Sequence, residues 1–290
     1  VYLGTPELAV PPLRALVAAG FEVVLVVSGP DKRRGRRGAP TPTPVKAAAL
    51  ELGLAVSEDP AQAAEVGADL GVVVAYGRIL RRPLLARLPM VNLHFSLLPR
   101  WRGAAPVERA ILAGDPTTGV CVMAVEEGLD TGAVFAREEI PITHDVTAAE
   151  LRAELTEIGA ALMVQTLRRG LTDPEPQRGE STYAAKITPA DLELCWDHPA
   201  VALHRQVRVG GAWTTRQGTR LKVHRARAHA DQVGAGGPGS LHGALVTTGA
   251  GTLELLEVQP EGKGRVAVEA WLNGARPAPG EVLGLAVVTP

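Results

Sequence analysis

The stretch "MVNLHFSLLPRWRG" (residues 90–103) decides how the first half of the chain is read. Val91, Leu93 and Phe95 alternate with Asn92, His94 and Ser96, the two-residue period of a strand with unlike faces. The run then breaks at Pro99, between two leucines and two arginines that flank Trp101. Three polar side chains on one face at the end of a strand are either an ordinary solvated face or part of a site. The flanking sequence has to decide between them.

Working outward, three more apolar runs precede this one: "VYLG" (1–4), "FEVVLVVS" (21–28) and "DLGVVVAYG" (69–77). Helical patterns at 7–19, 45–51 and 60–66 separate them. Near-continuous Val/Leu strands alternating with helices predict an α/β fold, a doubly wound and mostly parallel sheet covered on both faces. After it come a helix at 106–113 with Pro in its first turn and two strands, "GVCVMAVEE" and "AVFAREEIPI", flanking "GLDTG". A long helix then runs from Thr147 to Arg169, with Thr147 and Glu150 spaced as a capping box. Near Gly170 the pattern changes. "GLTDPEPQRGEST" reads as a linker, and beyond it short strands and frequent turns predict a small, barrel-like β domain. The division expected is 1–169, a linker at 170–187, and 188–290.

Bulk properties exclude several classes. At 46% hydrophobic residues the chain is globular. No stretch has the length of a membrane span and no signal peptide is visible, so a cytoplasmic protein is expected. The chain opens on a strand without an initiator Met, so a few preceding residues are expected. Cys121 and Cys195 are far apart, with no CxxC and no His cluster, and both are expected as core thiols rather than metal ligands or a disulfide. Net charge is −1 but uneven: up to Leu203, 20 Lys and Arg face 25 Asp and Glu, whereas 10 face 6 beyond it. A basic second part can bind a polyanion locally. A second basic feature is "GPDKRRGRRGAPTPTP" (29–44), with five Lys/Arg between Asp31 and Gly38. It is either a solvated loop or an arm for a phosphate backbone.

Chemistry in an open α/β sheet sits beyond the carboxyl ends of the strands. GxGxxG, a P-loop and GxSxG are all absent, which argues against dinucleotide, ATP and serine-hydrolase chemistry. "NLHFS", "AYG" and "GLDTG" each end a strand or form a turn, so Asn92, His94 and Asp130 can converge at one rim. Such a trio suits acyl transfer to an amine. An amide N–H and an imidazole N–H can donate to a developing oxyanion, and a carboxylate can orient the imidazole and accept the proton that the amine must lose. A structural His remains the alternative for His94. The other histidines are scattered in sequence, so no metal site is expected.

At these residues the chain resembles a known family. The segment 92–132, "NLHFSLLPRWRGAAPVERAILAGDPTTGVCVMAVEEGLDTG", is similar to the signature region of the methionyl-tRNA formyltransferases. The similarity extends to "GTPELAVP", "PDKRRGRRG", "TPTPVK", "VVVAYGRIL", "TYAAKI", "LELLEVQPEGKGR" and "PGEVLG", across most of both halves. It implies a Rossmann-like catalytic domain and an OB-like C-terminal domain that binds tRNA. It implies 10-formyltetrahydrofolate as formyl donor, methionyl initiator tRNA as acceptor, and no metal. It implies Asn92, His94 and Asp130 as catalytic residues, and Ser96, Leu97, Leu98 and Pro99, with Tyr76 and Gly77, as the folate rim. Lys32, Arg33, Arg34, Arg36 and Arg37 become the tRNA arm, with Arg36 at its key position. One chain can carry both sites, so a monomer is expected, of bacterial, cytoplasmic type. The Asn-Pro-Trp-Pro that usually precedes "GAWT" is missing. Amino-sugar formyltransferases share Asn-x-His and a downstream Asp. "PRWRGAAP" and the basic regions favour the tRNA enzyme over these and over a catalytically silent RNA-binding relative.

Overall fold

The computed structural model describes residues 1–33 and 39–284, apart from the side chain of Lys32. The chain divides into two compact units. One comprises Val1–Val107, Thr117–Ile142 and Glu150–Ala185; the other comprises Glu108–Pro116, Thr143–Ala149 and Lys186–Pro290.

The first unit is built on a seven-stranded sheet: β1 Tyr2–Gly4, β2 Val26–Val27, β3 Val56–Ser57, β4 Gly71–Val74, β5 Met90–His94, β6 Thr117–Ala124 and β7 Val134–Pro141. Its order is β7-β6-β5-β4-β1-β2-β3. The pairs among β1 to β5 are parallel, and β6 and β7 add antiparallel. The doubly wound, mostly parallel sheet expected from the sequence is therefore present. The strand order reverses between β1 and β4, where such sheets open a crevice at their carboxyl ends.

Local chemistry explains several element boundaries. The helix Pro44–Glu51 starts at Thr43, whose hydroxyl accepts from the Lys46 N–H at 3.2 Å. The helix expected at 60–66 is instead a 3-10 turn, Pro60–Ala64, capped by Asp59. Gly67 follows in the left-handed region and ends it. The run 69–77 yields a strand only at Gly71–Val74, because Ala75 (φ 45°) turns the chain off the sheet. The long helix spans Ala148–Arg169, and at Gly159 it approaches the sheet closely. A Cβ there would lie 2.8 Å from Leu93 Cδ2, so the helix holds the apolar side of the strand that carries Asn92 and His94.

The second unit has the antiparallel strands β8 Trp213–Arg216, β9 Thr219–His229, β10 Ser240–His242, β11 Leu245–Thr247, β12 Thr252–Pro260, β13 Val266–Ala267 and β14 Glu281–Val282. They run β8-β9-β12-β11-β10-β14, with β13 on β12. The Gly284 N–H donates to Thr215 O at 2.8 Å, bringing the two edges together into a nearly closed, barrel-like sheet. Trp196, Leu203, Val223, Leu241, Leu253, Leu255 and Trp271 fill it. Arg216 pairs with Glu281 through two bonds of 2.8 and 3.2 Å. Cys121 is buried as expected. Cys195 is exposed, because it alternates outward between buried Leu194 and Trp196.

Candidate active site

β5 is fixed on both sides before it reaches the site. Asn92 pairs with Val73 of β4 and Met123 of β6, and His94 with Cys121. His94 is buried, and its Nδ1 lies 3.6 Å from Asp130 Oδ2. Its Nε2 lies 2.8 Å from the Trp101 carbonyl oxygen. A carbonyl only accepts, so Nε2 carries a proton and donates it there. Nδ1 then faces the carboxylate. The other carboxylate contact is structural: Asp130 Oδ2 accepts from the Gly103 N–H at 2.8 Å. Asn92 is half-buried, and its side-chain amide bonds to no described residue.

The loops that meet here are held in costly conformations. Ala75 (φ 45°), Trp101 (φ 61°) and Asp130 (φ 52°) are non-glycine residues in the left-handed region, and each follows a strand at this rim. Such residues cost about 1–3 kcal/mol each and persist only where their surroundings determine them. Glycine is required twice beside them. A Cβ on Gly132 would lie 2.0 Å from the Ala124 oxygen, and Gly103 (φ 116°) packs under the Tyr183 ring.

The other expected site residues divide by exposure. The Ser96 hydroxyl is fully buried and donates to the Arg100 carbonyl at 2.6 Å, so it closes the turn. Leu98 is buried against Cys121, Met123 and Val134. Tyr76 is buried in the core, where its carbonyl accepts from the Thr5 hydroxyl. Leu97 and Pro99 are half-exposed and Gly77 is exposed, so of the expected rim residues these three reach solvent. At the basic loop, Lys32–Arg33 pairs antiparallel with Pro40–Thr41, and Arg33 is exposed. Arg34, Arg36 and Arg37 lie outside the described residues, as does the side chain of Lys32.

Several contacts at the rim were not singled out from sequence. Gln177 and Thr182 lie in the stretch read as a linker, yet both bond into the site. Thr182 Oγ1 accepts from the Trp101 N–H at 2.8 Å. Tyr183–Ala184 pairs parallel with Arg102–Gly103. "TYAAKI" marked this region as similar to the family without giving it a role.

A second cluster forms in the second unit, from histidines that are scattered along the chain. His144 Nδ1 lies 3.0 Å from Asp145 Oδ1, His204 Nε2 lies 3.6 Å from the same oxygen, and the two imidazoles stack at 5.2 Å. Burial first, then the nearby Arg208 charge, holds the His204 pKa down at about 4, leaving it neutral. The Arg208 guanidinium donates to the Thr143 and Val146 carbonyls on the same loop, so its charge opposes a cation there.

Comparison with known proteins makes the class plain. The family model for Formyl transferase matches residues 3–167, and that for Formyl transferase, C-terminal domain, matches 186–276. A methionyl-tRNA formyltransferase of Symbiobacterium thermophilum is 45% identical, covering 94% of this chain and 91% of its own. That of a Jannaschia species is 46% identical, covering 98% and 99%. Among solved structures, an N-formyltransferase from Helicobacter canadensis, in complex with folinic acid and dTDP-3-aminofucose, shares the fold. Its TM-score is 0.70 at 17% identity, over 88% of this chain and 97% of that one. The chain belongs to the formyl transferase family, and within it to the methionyl-tRNA formyltransferases. Among the described residues no helix is long and apolar enough to cross a membrane.

Proposed function

We propose that this protein transfers the formyl group of 10-formyltetrahydrofolate to the α-amine of methionyl initiator tRNA, acting as a monomer in the bacterial cytoplasm. One observation carries the choice of acceptor: identity of 45–46% to methionyl-tRNA formyltransferases over nearly the whole of both chains. The sugar enzyme shares only the fold, at 17% identity.

The neutral methionyl amine attacks the formyl carbon. The new C–N bond forms, the bond from carbon to N10 of the folate breaks, and the proton lost by the amine ends on N10. The Asn92 amide donates to the oxyanion formed on attack. His94, held by Trp101 through Nε2 and facing Asp130 through Nδ1, sets its imidazole beside that oxyanion. Asp130 takes the proton from the amine and returns it to the leaving nitrogen. Folate lies along Gly77, Leu97 and Pro99, and the buried Tyr76, Ser96 and Leu98 shape that rim from beneath.

The nucleic acid meets two basic surfaces. One is the arm that contains Arg36. The other is β9, where a register shift between Val223 and Ala226 keeps Arg220, Lys222, Arg225 and Arg227 all exposed. The test is formyl-methionine formation from 10-formyltetrahydrofolate and charged tRNA, run beside a nucleotide-linked amino sugar. Product from the tRNA alone is expected, and product from the sugar alone would overturn the proposal. In the same assay Arg36→Ala is expected to raise KM for the tRNA roughly 10-fold, with a steep salt dependence and little change in KM for folate.

A further inference from the structure

Residues 172–180 are exposed with one exception, the half-buried Gln177. Its side chain is saturated. Nε2 donates to the Asp130 carbonyl at 2.8 Å and to the Gly132 carbonyl at 2.8 Å. Oε1 accepts from Arg102 Nε at 3.0 Å and Nη2 at 2.6 Å. The amide orientation is forced, because the opposite one sets oxygen against two carbonyls and nitrogen against a guanidinium. The two carbonyls bracket the turn in which Asp130 holds φ 52°. Arg102 in turn sits beside Gly103, whose N–H binds the Asp130 carboxylate. The same strap ties down the other side of the pair, since Thr182 holds the N–H of Trp101, whose carbonyl holds His94. Neighbouring Glu175 pairs with Val134 through two backbone bonds of 2.8 Å, anchoring the strap to the end of the same turn.

We infer that Gln177 is a positioning residue for formyl transfer, one that clamps the Asp130 turn and so sets the carboxylate against His94. This rests on the role of Asp130 proposed above. It also assigns Arg102, whose contacts with Gln177 brace the loop. A turn held at an unfavourable φ needs such external bonds, and a displacement of about 1 Å at a reacting group can cost about 10²-fold in rate.

A double-mutant cycle tests the inference. Gln177→Ala removes all four bonds, whereas Gln177→Glu keeps the shape and the acceptors for Arg102 but loses both donors. Each is made in the natural sequence and in the Asp130→Asn variant. The kcat, both KM values and the thermal unfolding midpoint are measured for each protein. Expected are kcat losses of about 10- to 10²-fold from either Gln177 change in the natural background, with both KM values within about 3-fold. With Asp130 already changed, the further loss should be under about 3-fold, because the two residues act as one unit. Near-unchanged kcat, equal losses in both backgrounds, or failure of both Gln177 variants to fold would overturn the inference in favour of a purely structural contact. If Asp130→Asn itself turns over normally, the assignment of Asp130 fails and the inference with it; an impaired Asp130→Asn beside a fully active Gln177→Ala sinks the inference alone.

Discussion

Asn92→Ala is expected to lower kcat for formyl transfer by about 10²- to 10³-fold, with folate affinity near that of the natural protein. The size follows from the strand. Asn92 sits in the middle of β5, paired with Val73 and Met123, and the helix at Gly159 presses on the neighbouring Leu93. Its side chain is therefore presented from rigid backbone, as a preorganised donor must be. The amide is half-buried and bonds to no described residue, so truncation orphans no partner and stability should change by less than about 1 kcal/mol. Single-turnover rates beside equilibrium binding of the folate separate the two effects. Turnover like that of the natural protein would remove Asn92 from the chemistry.

Asp130→Asn is expected to cost about 10²- to 10⁴-fold in kcat, the range for loss of a positioned acid–base group. This substitution is nearly isosteric. The new amide oxygen can still accept from the Gly103 N–H, and the Gln177 bonds go to backbone carbonyls that the change leaves in place. What is lost is the negative charge facing His94 Nδ1 and the site that receives the proton of the amine. Thermal unfolding should shift little while kcat collapses. A large fall in unfolding temperature with kcat preserved per folded molecule would mean that Asp130 only holds the loop.

Most of the first sheet was legible because strand periodicity is a local signal. Val91 and Leu93 against Asn92 and His94 marked the faces of β5, and Val/Leu runs separated by helices marked a parallel sheet. Boundaries were less legible where one backbone angle overrides a run of apolar residues. Ala75 ends β4 three residues before the apolar run does, and Pro60–Ala64 closes as a 3-10 turn ahead of Gly67. Alternation also exposed Cys195, which residue type alone had put inside.

By itself the sequence determined the α/β class, the β-rich second domain, the family, and the trio Asn92, His94 and Asp130 as candidates. Each of these rests on residues close in the chain or on a motif. Only the tertiary structure decided which polar groups face one another. It spent Ser96 on its own turn, buried Leu98, and gave His94 Nε2 to Trp101. It turned Gln177 out of an exposed stretch onto the Asp130 turn, and stacked His144 on His204 across a long sequence separation. The reason is physical: periodicity reports which side of an element is buried. A hydrogen bond between loops depends on backbone angles and on long-range closure, which no local pattern encodes.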